Sequence, residues 1–547
     1  MATAATGEAK LSRVHEATGL KRNSFYEMEL IFMSQISVSN LTFCYEGSYD
    51  NIFENVSFVI DTDWKLGLIG RNGKGKTTFL QLLLGKYDYQ GSIQAAEPFD
   101  YFPFEITEAE KALDTIQVIE RIQPDYELWK VCRELDLLEM DAGLLYRPYE
   151  TLSFGEQTRV MLALLFARDN AFLLIDEPTN HLDRATRDIV RAYLNSKHGF
   201  ILVSHDRQLL DAVVDHVLVL EKNNIQAEQG NFSSWWENKQ RRDAFELAEN
   251  EKLKLEIRKL EASARKSAQW ADKVERSKIG FDPIKEHDRF KDTRCYLGEK
   301  SRRMQQRRKN LQRRQQNAIE EKSGLLKNID TVDELKLTFL QHHKEVYVRI
   351  SDFQAFYMDG APLMKPLSFE LRRGDRLILS GRNGCGKSSV IKSILLAENV
   401  EVLGGIPEAY RQEGLSHRGI LETASGLKIS YINQSTGHLK GNLDDHIDRL
   451  GVSNSLFKSV LRRLDFERVQ FEKPMEEYSD GQKKKVLVAG SLLQQAHLYI
   501  WDEPLNYMDV FSRMQIENLI MKYQPTMLLV EHDEMFASRC ATKTVTF

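Results

Sequence analysis

The chain has 547 residues, of which 42% are hydrophobic and 28% charged, a composition typical of globular proteins and a length that predicts more than one domain. The net charge of −5 excludes a basic surface over the whole chain, and the longest apolar run, residues 160–167, is far shorter than the roughly 20 residues that span a bilayer. Five scattered cysteines, none of them in a CxxC pair, argue against a disulfide framework or a zinc site, so we expect a cytoplasmic protein.

The amino-terminal segment differs in character from the remainder of the chain. Residues 1–32 contain no apolar core of signal-peptide length, and acidic and basic residues alternate there. We expect this segment to be a disordered extension, with the folded chain beginning at Met33.

Beyond this segment the chain contains the same motifs twice in the same order, which indicates a duplicated module. The corresponding motifs are GRNGKGKT (70–77) and GRNGCGKS (381–388), LSFGEQ (152–157) and YSDGQK (478–483), FLLIDEPTNHLD (172–183) and LYIWDEPLNYMD (498–509), and VSHD (203–206) and VEHD (530–533). The spacing between copies grows from 387 − 76 = 311 residues to 479 − 153 = 326, which places 15 extra residues in the second half, around 402–428. We predict two modules, 33–238 and 344–547, joined by a linker, 239–343.

Each copy opens with a short apolar run that ends in glycine, Leu66–Gly70 or Leu377–Gly381, and a helical pattern follows the glycine-rich motif. A strand, a glycine-rich loop and a helix in this order are the start of a parallel α/β sheet. The predicted fold class is therefore α/β, with two tandem P-loop domains.

The motif Gly-x-x-x-x-Gly-Lys-Ser/Thr is a phosphate-binding loop, or P-loop, whose glycines let backbone N–H groups surround phosphates at the start of a helix. Lys76 and Lys387 would neutralise the β- and γ-phosphates of ATP, and Thr77 and Ser388 would bind Mg²⁺. A glycine-rich turn without a ligand is the alternative, which two copies after two strands disfavour. The loop residues predicted to bind ATP are Gly70, Arg71, Asn72, Gly73, Lys74, Gly75, Lys76, Thr77 and Thr78, and Gly381, Arg382, Asn383, Gly384, Cys385, Gly386, Lys387, Ser388 and Ser389.

Two acidic pairs end apolar strands downstream of the loops. Asp176 and Asp502 are predicted to hold Mg²⁺, and Glu177 and Glu503 to polarise the attacking water as general bases. Alone, such a pair is most often a helix cap, but these follow a P-loop lysine by 176 − 76 = 100 and 502 − 387 = 115 residues. Each half also has a histidine after a further apolar strand, which we predict to be catalytic through contact with the γ-phosphate: His205 and His532.

The segment between the modules is basic and has a helical pattern. It lacks Gly and Pro over residues 231–279 and again over 299–323, with apolar residues at helical spacing, which predicts an antiparallel helical hairpin with its tip at 280–298. Residues 239–329 carry a net charge of 26 − 15 = +11. A charge run is commonly a solvated helix face, but this imbalance favours contact with RNA phosphates. The residues predicted to contact RNA are Phe290, Arg294, Arg302, Arg303, Arg307, Arg308, Arg313 and Arg314.

Both modules resemble the ATP-binding cassette superfamily, because each P-loop is followed by a motif similar to the family signature Leu-Ser-x-Gly-Glu/Gln. In that family two cassettes close face to face, and each ATP lies between one P-loop and the signature of the other cassette. The resemblance implies a monomer with an intramolecular cassette dimer. The signature residues it implies as ATP contacts are Ser479, Gly481 and Gln482 at the first P-loop, and Ser153, Gly155 and Glu156 at the second.

The resemblance also implies roles outside these motifs. Tyr45 and Tyr357 occupy the positions where the family stacks an aromatic ring on adenine, and Gln434 the position of a glutamine that contacts Mg²⁺ and water. The first half has Phe104 where this glutamine is expected. We therefore expect two unequal sites, with the first site the slower.

Two fused cassettes around a charged helical hairpin are similar to the F subfamily, from Met33 to the last residue. The segments 61–73, 229–233, 242–252 and 501–507 resemble its antibiotic-resistance branch, which acts on lincosamides, streptogramin A and pleuromutilins. The resemblance implies an ATPase that binds the exit (E) site of the 70S ribosome. Its linker would reach toward P-site tRNA and the 23S rRNA of the peptidyl transferase centre, where it would displace a bound drug.

Other functions remain open for the same motifs. A housekeeping translation factor of this subfamily would share the fold but would not confer drug resistance. The ATPase subunit of an exporter with separate membrane chains would not need the basic linker. A DNA-handling cassette ATPase would need a far longer coiled coil.

Overall fold

The computed structural model describes residues 35–47, 51–169, 171–180, 182–221, 224–276, 335–357, 360–412 and 414–547, with isolated positions between 306 and 317. The chain divides into two compact units: Trp236–Val332 is one, and the flanking segments, which include both halves of the repeat, form the other. The predicted extension, 1–32, and the predicted linker tip, 280–298, lie outside the described residues.

Each half of the repeat has a six-stranded sheet and a three-stranded antiparallel sheet. The strands of the first half are β1 Gln35–Phe43, β2 Phe53–Asp61, β3 Lys65–Gly70, β4 Gln90–Gln94, β5 Phe99–Phe102, β6 Phe172–Asp176, β7 Phe200–Val203, β8 His216–Glu221 and β9 Asn224–Gln229. Those of the second half are β10 Val346–Tyr357, β11 Leu367–Arg372, β12 Arg376–Ser380, β13 Val400–Leu403, β14 Leu415–Thr423, β15 Leu427–Ile432, β16 Leu498–Asp502, β17 Met527–Val530 and β18 Lys543–Thr546.

The helices connect the strands and cover the sheets. In the first half and the linker they are α1 Lys76–Leu83, α2 Glu108–Lys111, α3 Thr115–Ile122, α4 Leu128–Leu137, α5 Phe154–Phe166, α6 Arg184–Asn195, α7 Arg207–Val213 and α8 Phe232–Arg276. In the second half they are α9 Lys387–Leu395, α10 Glu408–Gln412, α11 Leu443–Leu450, α12 Asn454–Arg463, α13 Asp480–Leu493, α14 Val510–Tyr523 and α15 Glu534–Cys540.

The larger sheets have the strand orders β5-β6-β7-β3-β8-β9 and β13-β15-β16-β17-β12-β18. The strands β5-β6-β7-β3-β8 correspond to β15-β16-β17-β12-β18, and β9 and β13 are additional edge strands. The pairs are parallel except β8 with β9. Parallel strands are covered on both faces, so their sequences are apolar throughout: the first four residues of β6 and all four of β7 are buried. Because β3, β6 and β7 are parallel neighbours, the loops after them lie at one edge of the sheet. This edge holds the P-loop, the acidic pair and the histidine.

The two halves contact each other within one compact unit. Arg71 Nη1 lies 2.5 Å from Asp465 Oδ1, and Glu517 on α14 is fully buried in an ion pair with Arg207 at the start of α7. Trp235, two per cent exposed, packs edge-on against Phe511, with ring centroids 6.1 Å apart. The sequence predicted an intramolecular pairing of cassettes but named none of these contacts.

The linker helix α8 has 45 residues. At about 1.5 Å per residue it extends over about 65 Å. The second predicted helix falls almost entirely outside the described residues, although Arg313 and Arg314 are helical and exposed. In the described part of the chain, no helix combines the length and the apolar character needed to cross a membrane.

Candidate nucleotide sites between the two halves

The P-loops fold as the motif requires. Gly75 and Gly386, the residues before α1 and α9, have φ values of 93° and 101°, which glycine adopts without strain. Lys76 Nζ donates to the Gly70 carbonyl at 2.8 Å, and Lys387 Nζ donates to the Gly381 carbonyl at the same distance. Each lysine is therefore folded back over its own loop, above the first N–H groups of a helix, which is an anion-binding arrangement.

The aspartates at the ends of β6 and β16 lie beside the hydroxyl that follows each lysine. Thr77 Oγ1 donates to Asp176 Oδ2 at 3.2 Å, and Ser388 hydrogen-bonds Asp502. Burial raises the pKa of Asp176, and burial together with the charge of Glu503 raises the pKa of Asp502 to about 6. Asp502 Oδ1 is buried and has no hydrogen-bond partner among the described residues. A hydroxyl and a carboxylate with an unused buried oxygen fit Mg²⁺, which prefers such ligands.

The glutamate of the second site is held by its neighbours. Glu503 Oε2 accepts hydrogen bonds from Gln434 Nε2 at 2.9 Å and from Asn506 Nδ2 at 2.8 Å, and His532 Nε2 lies 3.6 Å from Oε1. Burial acts to raise the pKa of Glu503, but the side chains of His532 and Gln434 outweigh it and lower the pKa to about 2. Glu503 is therefore a carboxylate at neutral pH, the form that can accept a proton from water.

The glutamate of the first site has a histidine ring beside it, with His205 Nε2 3.3 Å from Glu177 Oε1, but no side-chain amide is shown donating to it among the described residues. Glu177 Oε2 accepts a hydrogen bond from the His205 backbone N–H at 3.3 Å, and Oε1 is buried without a hydrogen-bond partner in the described part of the chain. Burial and the charge of Asp176 raise the pKa of Glu177 to about 8. Since Phe104 stands where the second half has Gln434, no amide is available at that position to stabilise the ionised form.

A tyrosine that the sequence did not single out lies in the first site. Tyr101 Oη donates to Asp176 Oδ2 at 3.2 Å, and burial together with the charge of Asp176 raises the pKa of this tyrosine. Tyr101 thus shares the carboxylate oxygen that Thr77 also contacts. Its position three residues before Phe104 was visible in the sequence, but the direction of its hydroxyl was not.

The signature motifs form helix N-termini that point toward the opposite half. Ser153 and Ser479 are the N-caps of α5 and α13, which we call the signature helices. Glu156 and Gln482 close the capping boxes, accepting hydrogen bonds from the backbone N–H of Ser153 at 2.7 Å and of Ser479 at 3.0 Å. Capping is thus a structural role for two residues that were predicted to contact ATP.

Contacts across the halves follow the predicted pairing. Asn72 of the first P-loop donates through Nδ2 to the Tyr507 carbonyl at 3.1 Å, and a Cβ on Gly481 would lie 3.3 Å from the same nitrogen. At the second P-loop a cavity of about 620 Å³ is lined by residues of both halves. They include Phe154 and Leu182 of the first half and Asn383, Lys387, Ser388, Gln434, Glu503 and His532 of the second.

The two predicted adenine-stacking residues lie next to the P-loop helices. Tyr45 is 41% exposed, and its hydroxyl is 2.7 Å from Thr78 Oγ1. Tyr357 lines the 620 Å³ cavity, and its hydroxyl is 3.3 Å from Ser389 Oγ. Stacking on adenine stays a prediction for both.

The predicted RNA contacts are mostly beyond the described residues. Phe290, Arg294, Arg302, Arg303, Arg307 and Arg308 lie outside them. Arg313 and Arg314 are described and exposed, and RNA binding stays a prediction for all of these residues.

Residues 53–180 and 364–506 match the profile of the ABC transporter family. Each stretch contains one P-loop and one acidic pair. The predicted α/β fold with two P-loop cassettes is confirmed, and so is its expected class of activity, ATP hydrolysis.

Relatives resemble the chain along most of its length. The ribosome protection protein VmlR of Bacillus subtilis (strain 168) is 26% identical over 523 residues, which covers 92% of this chain and 85% of that protein. The energy-dependent translational throttle protein EttA of Mycobacterium tuberculosis (strain ATCC 25618 / H37Rv) is 24% identical over 541 residues, with coverages of 90% and 88%.

A solved structure has a fold similar to that of this chain. A crystal structure of an archaeal ribosome recycling factor in complex with a ribosomal stalk protein has a TM-score of 0.54 at 18% identity. The alignment covers 93% of this chain and 87% of that one. At this identity the likeness concerns the fold alone.

Proposed function

Because both halves of the chain are ATP-binding domains of the ABC transporter family, we propose that the protein is a ribosome-binding ATPase. It docks in the E site of the 70S ribosome and displaces antibiotics from the peptidyl transferase centre. ATP holds the two cassettes closed, and hydrolysis reopens them and releases the protein. The observation that carries this proposal is a linker of net charge 26 − 15 = +11 between two ATPase domains that face each other across their P-loops.

The proposed chemistry is phosphoryl transfer from ATP to water. In the second site Glu503 accepts a proton from the attacking water, whose oxygen bonds to the γ-phosphorus as the bond from this phosphorus to the leaving oxygen of ADP breaks. Lys387 stabilises the phosphate charge. Gln434 and Asn506 keep the Glu503 carboxylate oriented through their hydrogen bonds. Ser388 and Asp502 in this site, and Thr77 and Asp176 in the first, would hold Mg²⁺, which would further neutralise the phosphate charge.

The signature helices account for the closure of the two cassettes by ATP. Each helix N-terminus carries a partial positive charge, so it attracts the γ-phosphate held by the opposite P-loop. Gly481 already approaches Asn72 of the first loop, and Phe154 lines the cavity at the second. Loss of the γ-phosphate would remove this attraction from both halves at once.

The linker supplies the proposed contact with RNA. A protein that neutralises several phosphates binds RNA in a strongly salt-dependent way. The positive net charge of the linker contrasts with that of the rest of the chain, which is −5 − 11 = −16. The negatively charged surface of RNA would therefore attract the linker and repel the remainder of the protein. Two relatives are known as a ribosome protection protein and an energy-dependent translational throttle protein, which supports a ribosomal partner for this chain.

Drug displacement is tested by expressing the protein in a drug-sensitive bacterium. We expect the inhibitory concentrations of lincosamides, streptogramin A or pleuromutilins to rise by about fourfold or more, which corresponds to about 0.8 kcal/mol of lost apparent drug affinity. The control is the Glu177→Gln/Glu503→Gln double variant, which should not support sustained protection because it cannot release. Unchanged inhibitory concentrations with the folded wild-type protein would contradict this part of the proposal.

The second candidate function is that of a housekeeping translation factor. The similarity to the translational throttle protein EttA supports this candidate. It shares ATP-dependent ribosome binding and differs in leaving drug susceptibility unchanged. Ribosome co-sedimentation with ATP, together with no change in any inhibitory concentration, would select it over the first candidate.

A further inference from the structure

The second site contains a buried cation that the described catalytic groups do not account for. Lys484 on the signature helix α13 is two per cent exposed, although lysine is almost never buried without a specific partner. Its Nζ donates to the Glu503 carbonyl at 3.0 Å and to the Asn433 carbonyl at 3.2 Å. These two residues belong to different loops, one carrying the general base and the other preceding Gln434.

Lys484 holds the backbone of Glu503, and this backbone sets the direction of the general-base side chain. Glu503 has a φ of 49°, a left-handed conformation that is costly for a residue with a side chain. Glu177 adopts the same conformation, with a φ of 53°, so what Lys484 adds is a fixed position of the Glu503 carbonyl relative to that of Asn433. The same ammonium fixes the carbonyl of Asn433, and Gln434, the next residue, donates to Glu503 Oε2.

A residue of the extra segment in the second half also holds the loop that contains Asn433. Tyr410 on α10 lies within the stretch 402–428, where the second half has its additional residues, and its hydroxyl donates to Asn433 Oδ1 at 2.9 Å. It is also 3.0 Å from the hydroxyl of Tyr431. Asn433 is therefore held through its carbonyl by Lys484 and through its side chain by Tyr410.

The first half lacks both supports. The position equivalent to Lys484 is 484 − 326 = 158, a threonine whose hydroxyl donates to the Phe154 carbonyl of its own helix. The residue equivalent to Tyr431 is Tyr101, which donates to Asp176 Oδ2. In the second half the tyrosine hydroxyl is engaged by Tyr410 and Asn433, and Asp502 Oδ1 has no hydrogen-bond partner within the described residues.

We propose that Lys484 and Tyr410 are positioning residues of the second nucleotide site, which hold Glu503 and Gln434 in a hydrolytic arrangement that the first site does not have. The inference rests on the proposed role of Glu503 as general base. It goes beyond that role because it assigns a function to the 15-residue extra segment and to a signature-helix lysine.

The test measures ribosome-free ATP hydrolysis in a Glu177→Gln background, which reports the second site. Lys484→Met should lower kcat about tenfold, a loss typical of a misplaced general base, with KM for ATP within about twofold of its parent. Tyr410→Phe keeps the ring and should lower kcat about threefold, because only one hydroxyl is lost. Neither change should lower the residual rate in a Glu503→Gln background.

The matched control is Lys483→Met, which removes a neighbouring charge from the same helix and should leave kcat unchanged. A folded Lys484→Met variant with the same kcat as its Glu177→Gln parent would overturn the proposal. An equal loss of kcat in Lys483→Met would also overturn it. If Lys484→Met does not fold, Tyr410→Phe decides alone, and an unchanged kcat there overturns the proposal. Because no ribosome is present, failure of ribosome binding in a separate assay leaves this result intact.

Discussion

At the residue scale, the two sites differ in how their catalytic carboxylates are hydrogen-bonded. Glu503 receives two side-chain amides, whereas Glu177 has a buried oxygen without a hydrogen-bond partner in the described chain. Such donors keep the carboxylate ionised and fix its direction, while lowering its pKa also makes it a weaker base. Phe104, which stands in place of a glutamine, therefore affects the ionisation of Glu177 as well as the set of groups around the metal.

Unequal hydrolysis is expected from this difference. Glu503→Gln should remove most of the ATPase activity, about tenfold or more, whereas Glu177→Gln should lower it by about twofold or less, because the first site contributes little. Steady-state phosphate release by each single variant measures this. Equal residual rates in the two variants would refute the inequality.

Contiguous motifs allowed the P-loops, the acidic pairs and the histidines to be predicted, because each motif carries its own chemistry within a few residues. Lys484, Tyr410 and Tyr101 could not be found in this way. Their partners lie on other elements, as with Lys484 and Glu503, 19 residues apart. A lysine in a helix with two lysine neighbours is typical of a solvent-exposed face, and only the packing of α13 against the sheet, at β15, buries it.

At the scale of elements, the glycines of the two signature helices differ in the space that their own half of the chain leaves around them. A Cβ on Gly481 would lie 2.5 Å from the Tyr507 carbonyl oxygen, a backbone atom that cannot move freely. On Gly155 the nearest atom would be Cγ2 of Thr186 at 3.3 Å, a side-chain atom that can shift slightly. The glycine is therefore sterically required in α13 and only favoured in α5.

Nucleotide trapping should reveal this difference. In the Glu177→Gln/Glu503→Gln background we expect about two ATP molecules trapped per chain, one per composite site. Gly481→Ala should reduce the number to about one, since the added methyl group would clash with the Tyr507 backbone and press on Asn72 of the first P-loop, and Gly155→Ala should leave it nearly unchanged. A filter-binding count with labelled ATP measures this, and identical stoichiometry in both alanine variants would count against the steric argument.

At the scale of the whole molecule, a buried ion network joins the two halves. Glu517 is fully buried and pairs with Arg207 of the other half, whose Nη1 is 3.2 Å away, and with Arg539, whose Nη1 is 2.8 Å away. A buried charge left without its partner is strongly destabilising. The network therefore joins the cassettes through side chains of the protein itself.

Glu517→Ala should lower the free energy of unfolding by about 3–5 kcal/mol, because it leaves the buried Arg207 unpaired. Arg539→Ala is the control, with a loss of about 1 kcal/mol or less, since that arginine is half-exposed. Urea denaturation followed by tryptophan fluorescence measures both. A loss in Glu517→Ala no larger than in the control would show that the network is weak.

The linker arginines that the structure describes should act through their charge. Arg313→Ala/Arg314→Ala should weaken ribosome binding at low salt and reduce the slope of log affinity against log salt by about one to two units. ATP hydrolysis without ribosomes should not change. An unaltered salt slope would mean that these residues do not contact RNA phosphates.

The most direct measurement of the central proposal is the affinity of the Glu177→Gln/Glu503→Gln variant for purified 70S ribosomes with and without ATP. Closure by two ATP molecules should raise the affinity by about a hundredfold, equivalent to about 2.7 kcal/mol of coupling between the nucleotide and ribosome sites. Pelleting of the variant with ribosomes in ATP and its loss from the pellet without nucleotide is the predicted result. Equal affinity in the two conditions would contradict ATP-dependent docking on the ribosome.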